Sequence, residues 1–190
     1  LDSVASAEGT NYVAVVSFKD KASTLSGFTQ NFNGLKESIE DLSAYSNTRD
    51  IASGLNAANA LLNEVTDEDA IKNVVLFTTG MTNEGAHNYT GHFNANTIAS
   101  NWQRSDTRIK LYAYANTAYD VAQAMKDQGI WIYTIGLFQS MENMPATGKE
   151  VVEFFRLTAK DLASNENYFH PVDDPENLDF TFGEVADDIM

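Results

Sequence analysis

The sequence predicts an α/β layered fold, and three observations carry that prediction. Apolar, β-rich runs recur at Tyr12–Phe18, Val74–Thr79 and Ile130–Leu137. Stretches with helical apolar spacing lie between and after them. Strand and helix patterns therefore alternate along the chain, as they do when helices cover a sheet.

Each element follows from its residues. Leu1–Ala7 reads as the end of a helix stopped by Gly9. Tyr12–Phe18 (Tyr-Val-Ala-Val-Val-Ser-Phe) reads as a strand buried on both faces. Lys19–Ala22 is a polar turn, and Ser23–Phe28 reads as a short edge strand. Leu35–Leu42 carries apolar residues at 35, 39 and 42, a helical spacing. Asp50–Val65 is the clearest helix, with Leu55, Ala58, Leu61, Leu62 and Val65 on one stripe and Asp50 as N-cap or first-turn acid. Val74–Thr79 is a second buried strand, ended by Gly80. Thr117–Gln128 is a helix stopped by Gly129, and Ile109 and Tyr112 allow it to begin upstream. Ile130–Leu137 is a third buried strand. Glu150–Ala163 is a helix, Tyr168–His170 a short edge strand, and Leu178–Met190 a final amphipathic helix. Phe154, Phe155 and Trp131 read as core aromatics.

One segment breaks the rhythm. Met81–Asn116 is 36 residues long and rich in Asn, Thr and Gly. Loops longer than about 12–15 residues are uncommon in compact domains and are often functional. No internal repeat or linker divides the chain, so residues 1–190 are expected to form one domain.

Composition excludes several functions. The 190 residues carry a net charge of −15, which repels phosphate backbones and anionic lipid. Neither nucleic acid nor a membrane surface is an expected partner. The longest apolar run, Ile130–Phe138, is far short of the roughly 20 residues that span a bilayer. The opening Leu1–Ala7 has no basic region of a secretory signal. The absence of cysteine rules out disulfides, thiol nucleophiles and cysteine-ligated metals.

Enzyme signatures are missing as well. The sequence has no phosphate-binding glycine motif and no Gly-x-Ser-x-Gly elbow. His87 and His92 are five residues apart, out of step with a helical zinc pair. His170 stands near Asp173 and Asp174, an arrangement open to a hydrolase, but no nucleophile accompanies it. Asn88-Tyr89-Thr90 matches a glycosylation sequon. The acidic clusters Asp67-Glu68-Asp69, Asp173-Asp174 and Asp187-Asp188 lack a calcium-loop pattern and read as solvated faces.

The order of segments resembles the von Willebrand factor A domain family. Tyr12–Phe18 is followed by Lys19-Asp20, and a turn at Asn47–Asp50 leads into Gly54-Leu55-Asn56-Ala57-Ala58. Thr78-Thr79-Gly80 stands where the family has Thr-Asp-Gly, and Ile132-Tyr133-Thr134-Ile135-Gly136 matches its fifth strand. Leu162-Ala163 and Tyr168-Phe169 complete the pattern. The resemblance implies a doubly wound, mostly parallel Rossmann-type sheet with helices on both faces.

It also implies a metal-ion-dependent adhesion site, in which an Asp-x-Ser-x-Ser segment, a Thr and an Asp hold a divalent cation that captures a partner carboxylate. This sequence departs from that pattern. The Asp-x-Ser-x-Ser segment and its strand are missing, and Thr79 replaces the Asp. Arg49 stands six residues before Leu55, where the Thr belongs, with Thr48 one position earlier. Lost negative charge and added positive charge both oppose a cation. Thr48, Asp50 and Thr79 remain the candidate ligands. Magnesium or manganese is expected only if the missing segment is supplied.

The absent strand would lie mid-sheet, between Tyr12–Phe18 and Val74–Thr79. Without it, both would carry unpaired backbone groups, each costing about 1–3 kcal/mol when buried. The strand is expected from the protein's own N-terminal fragment, from another chain, or to be replaced by a rearrangement. The expected function is non-enzymatic adhesion to a protein or matrix component, outside the cell or on a bacterial surface. Tyr89, Phe93, Trp102 and Arg104 of the long loop are the expected partner contacts, being residue types enriched at interfaces. The alternatives are a hydrolase using His170 and Asp173, or a structural subunit of a larger assembly.

Overall fold

The computed structural model describes residues 11–42, 48–94, 106–138 and 140–189, with the side chains of 106–108 excepted. The expected helix end at Leu1–Ala7 and its stop at Gly9 lie outside the described residues. β1 (Val13–Phe18) turns back into β2 (Ala22–Thr29) as an antiparallel hairpin. α1 (Phe32–Glu40) and α2 (Ile51–Asn63) follow. β3 (Asn73–Thr78), α3 (Asp106–Asp127), β4 (Trp131–Leu137), α4 (Ala146–Leu162), β5 (Phe169–Val172) and α5 (Leu178–Ile189) complete the chain.

The strands form two sheets. β1 and β2 make one, and β3, β4 and β5 make a parallel second in the order β3-β4-β5. Among the described residues, no strand joins β1 to β3.

Alternation along β4 shows why helices take both faces. Ile132 packs with Leu76 of β3 and with Ile51, Leu55, Ala118, Ala122 and Met125 of α2 and α3. Tyr133 and Ile135 point the other way, onto Val172 and Val185 of α5. All four β4 side chains from Ile132 to Ile135 are buried, as for a central strand of a doubly wound sheet. A third cluster joins α3 and α4 through Phe93, Tyr112, Phe138, Phe154 and Phe155.

The helix ends are set by local chemistry. Asp50 accepts the Ser53 N–H at 2.9 Å and caps α2. Asn31 caps α1 by accepting from Gly34. Gly129 ends α3 at φ +79°, with the Ile130 N–H donating back to Met125 O at 3.1 Å.

Several sequence expectations are corrected. β1 is half-buried throughout, and Val75 and Phe77 of β3 are 41% and 36% exposed. Neither is buried on both faces: among the described residues, Phe77 is met on its outer face by the ring of Phe182 of α5, itself 40% exposed. Trp131 is 45% exposed, with its ring edge-on to Tyr168 at 5.7 Å. It begins β4 at the sheet's amino end rather than lying in the core. The segment taken as a loop from 81 to 116 is shorter, because α3 already begins at Asp106. Its buried stripe consists of Tyr112, Ala113, Ala115, Ala118 and Ala122. β5 continues through Pro171 to Val172 and, among the described residues, pairs only with β4, an edge position that tolerates a missing N–H.

Candidate functional site

The loops after β1 and β3 meet at the carboxyl end of the sheet, where open α/β sheets present their ligand sites. The Asp50 N–H donates to Lys19 O, at the end of β1. The next contacts lead to the loop after β3. Arg49 N–H donates to Asn83 Oδ1 at 2.7 Å, Asn83 N–H donates to Arg49 O at 3.0 Å, and Thr82 Oγ1 donates to Arg49 O at 3.0 Å. Thr82 is buried, and Arg49 and Asn83 are half-buried.

Two candidate metal ligands are already engaged here. The buried carboxylate of Asp50 caps α2, and a Cβ placed on Gly85 would lie 2.6 Å from it. Gly85 has φ +109°, so the close approach and the backbone both call for glycine. Thr79 Oγ1 accepts from Arg49 Nη2 at 3.4 Å, and the same guanidinium lies against Gly80. Thr48 is half-buried, one residue before Arg49. The described residues do not fit a divalent cation. They offer one carboxylate, already used as a cap, beside a fixed positive charge. Among them no three His, Asp or Glu side chains converge.

The remainder of the loop is anchored by one buried side chain. Asn116 of α3 is fully buried. Its Oδ1 accepts the Phe93 N–H at 2.6 Å, and its Nδ2 donates to Asn88 O at 2.8 Å and to Phe93 O at 2.9 Å. Gly91 passes so close that a Cβ there would lie 2.5 Å from Asn116 Cγ. Phe93 is also fully buried, edge-on to Phe154 at 5.5 Å. It anchors the loop and is no surface contact, which corrects its expected role. Sequence reasoning could not find Asn116, because a buried amide has no pattern of its own.

What the loop presents outward is Tyr89, 57% exposed and stacked on His87 at 5.7 Å. His87 in turn leans on Tyr114 at 4.5 Å. Burial raises the Tyr114 hydroxyl pKa, with smaller contributions from Glu84 and Tyr89. Trp102 and Arg104 lie outside the described residues. Asn88 of the sequon donates to Asp120 Oδ2 at 2.7 Å and accepts the Thr90 N–H at 3.1 Å.

His92 sits at the foot of the loop. Its Nε2 meets Asp161 Oδ2 at 2.9 Å, and its ring stacks on Tyr119 at 4.1 Å. Tyr119 has a raised pKa, through burial first and then Asp161. Burial lowers that of Lys126 against the opposing pull of Asp161. His92, Tyr119 and Asp161 border an open cleft of about 260 Å³ with Lys160, Asn165 and Glu166. The two histidines 87 and 92 are therefore held by different partners. His170 and Asp173 are not joined either. Arg156 takes the Asp173 carboxylate, while His170 Nε2 is buried without a hydrogen-bond partner among the described residues. The acidic clusters at 67–69, 173–174 and 187–188 are exposed, and Asp174 caps a 3₁₀ turn.

A sequence model of the von Willebrand factor type A domain matches residues 1–83. A search of curated protein sequences gives no match. Among solved structures, the von Willebrand factor domain of the type V pili tip protein Mfa5 from Porphyromonas gingivalis is similar over 99% of this chain and 82% of its own, with a TM-score of 0.70 and 18% identity. Proximal thread matrix protein 1 from the mussel byssus is similar over 97% of this chain and 38% of its own, with a TM-score of 0.63 and 17% identity. One structure of that protein has zinc in its metal-ion-dependent adhesion motif. The pilus adhesin SpaC from Lactobacillus rhamnosus GG is similar over 94% of this chain and 25% of its own, with a TM-score of 0.70 and 14% identity. This chain thus spans well under half of the thread matrix protein and of the adhesin. With the sequence match over residues 1–83 and the structural likeness over nearly its whole length, the chain has the fold of a von Willebrand factor A domain.

Proposed function

We propose that this chain is a non-enzymatic adhesion module that binds a protein or matrix component outside the cell or at its surface. The observation that carries this reading is the loop after β3. It leaves the carboxyl end of the sheet, is fixed from beneath by Asn116 and Phe93, and presents Tyr89 and His87 outward. A rigidly held aromatic loses little freedom when it binds, which suits it to recognition. A pilus tip protein, a pilus adhesin and a thread matrix protein share the fold, which supports the same reading. No helix among the described residues is long and apolar enough to cross a membrane.

The proposed mode of binding needs no resident metal. The Arg49 guanidinium stands at Thr79, and a carboxylate on the partner would meet that positive charge where other members of the family offer a cation.

The test is a solid-phase binding assay against immobilised collagen, fibronectin and fibrinogen, with chelator present. Saturable binding to one of them, weakened about tenfold or more by Tyr89→Ala, supports the proposal. Binding that is absent throughout, or indifferent to Tyr89, overturns it.

A further inference from the structure

His92 carries a flat ring held in one plane. Its Nε2 meets Asp161 Oδ2 at 2.9 Å, and it stacks on Tyr119 with the two ring planes 6° apart. Phe93 stands nearly perpendicular to it at 4.8 Å. The Phe93 and Tyr119 centroids are 5.8 Å apart, far closer than rings on opposite faces of His92 would be. Phe93 therefore stands beside the stacked pair and not across from Tyr119. Among the described residues, no ring covers the face of His92 turned away from Tyr119, and the side chain is 40% exposed. An exposed ring whose orientation is already fixed loses little freedom when a ligand lies on it.

The cleft beside this ring is polar, and its charges are matched. Lys160 Nζ lies 3.4 Å from Glu166 Oε2, and the Asp161 carboxylate is taken by His92. Lys126 of α3 donates to Asp161 O at 3.0 Å. An incoming anion would meet two carboxylates, and an incoming cation would find both already engaged. A wholly apolar ligand would strand the polar groups around a single ring face. What remains fits a neutral ligand rich in hydroxyls. Asp161 Oδ1 can accept, and Lys160 Nζ has three protons to donate. Asn165 uses its Oδ1 on the Asn167 N–H at 2.9 Å, which leaves its Nδ2 as a donor. A pyranose answers both features. Its hydroxyls donate and accept at the rim, and its C–H face carries the slight positive charge that the face of an aromatic ring attracts.

We propose that the cleft bordered by His92, Tyr119 and the end of α4 is a carbohydrate subsite that takes one hexose unit of a glycan. The sugar lies on the His92 ring, and its hydroxyls bond to Asp161, Lys160 and Asn165. Tyr119 is a positioning residue, since it sets the plane of His92 from behind. The open form of the cleft, with a volume of about 260 Å³, suits a single unit whose neighbours in the glycan run out into solvent. Tyr89 does not line this cleft. The subsite goes beyond the adhesive reading of Tyr89 and does not depend on it.

The experiment titrates the whole nitrogen-15-labelled chain with the methyl glycosides of glucose, galactose, mannose, fucose and N-acetylglucosamine, and follows the amide resonances. At least one glycoside should bind saturably with a Kd of about 1 mM, as expected for so small a ligand. The shifts should centre on His92, Lys160, Asp161, Asn165 and Glu166. His92→Ala should weaken that binding about tenfold or more, whereas His92→Phe, which keeps a flat ring, should weaken it about threefold or less. Asn165→Asp keeps the oxygen that holds Asn167 and removes the donor, so it should weaken binding about threefold or more with an unchanged circular dichroism spectrum. Four results overturn the proposal: no saturable shift with any glycoside up to about fifty times that Kd, shifts confined to other residues, full affinity in both His92→Ala and Asn165→Asp, or equal shifts of the same amides by acetate or methylguanidinium.

Discussion

Arg49 Nη2 lies 3.4 Å from Thr79 Oγ1, bridging the loop before α2 to the end of β3. A guanidinium is charged at every accessible pH, so a positive charge is built into the carboxyl end of this sheet. A divalent cation there would meet it at close range. Titration calorimetry with magnesium or manganese should therefore give no micromolar binding. Micromolar affinity would refute the metal-independent reading.

Asn116 satisfies three backbone groups from inside the core. Asn116→Ala should cost about 3 kcal/mol, since buried groups are left without partners. Limited proteolysis should then cut between residues 83 and 94, while the far-ultraviolet spectrum stays helical and sheet-like. Resistance equal to that of the parent would show that the amide is dispensable.

Phe93 and Tyr89 are neighbours with opposite duties. Phe93→Ala should destabilise by about 3–5 kcal/mol, the cost of a large buried cavity. Tyr89→Ala should shift stability by about 0.5 kcal/mol or less and act only on partner binding. Urea denaturation of both variants separates the two roles. A comparable loss in both would place Tyr89 in the core.

Tyr133 and Tyr168 stack at 4.2 Å. Burial, followed by the hydrogen bond with Tyr168, pushes the Tyr133 hydroxyl pKa up to about 12. The unfolded chain loses this proton near pH 10 and the folded chain near pH 12. The contribution is therefore fully present below pH 10 and lost as pH rises through 12, amounting to at most about 3 kcal/mol. Tyr133→Phe should flatten this alkaline decline in melting temperature. An unchanged decline would assign it to other groups.

Most of the fold was legible because its signals are local. Asp50 before an apolar stripe marked the start of α2, and the buried runs 74–79 and 130–137 marked β3 and β4 to within a residue or two. The first turns of α3 were not legible. Exposed Ile109 obscures its period, and the buried stripe after it is mostly alanine, which carries little hydropathy contrast. At the site, the departures at Arg49 and Thr79 could be read directly from the sequence, and their contact bears on both. The division of the loop into an inward Phe93 and an outward Tyr89 could not be read, because it depends on Asn116 some 23 residues away.

The break in the sheet also has a mechanical consequence. The β1–β2 hairpin touches the rest of the chain mainly through α2. A pull applied at Tyr12 therefore meets side-chain packing and the Asp50 bond, with no backbone ladder to β3 among the described residues to be sheared. The hairpin should peel away at low force while β3, β4 and β5 stay together.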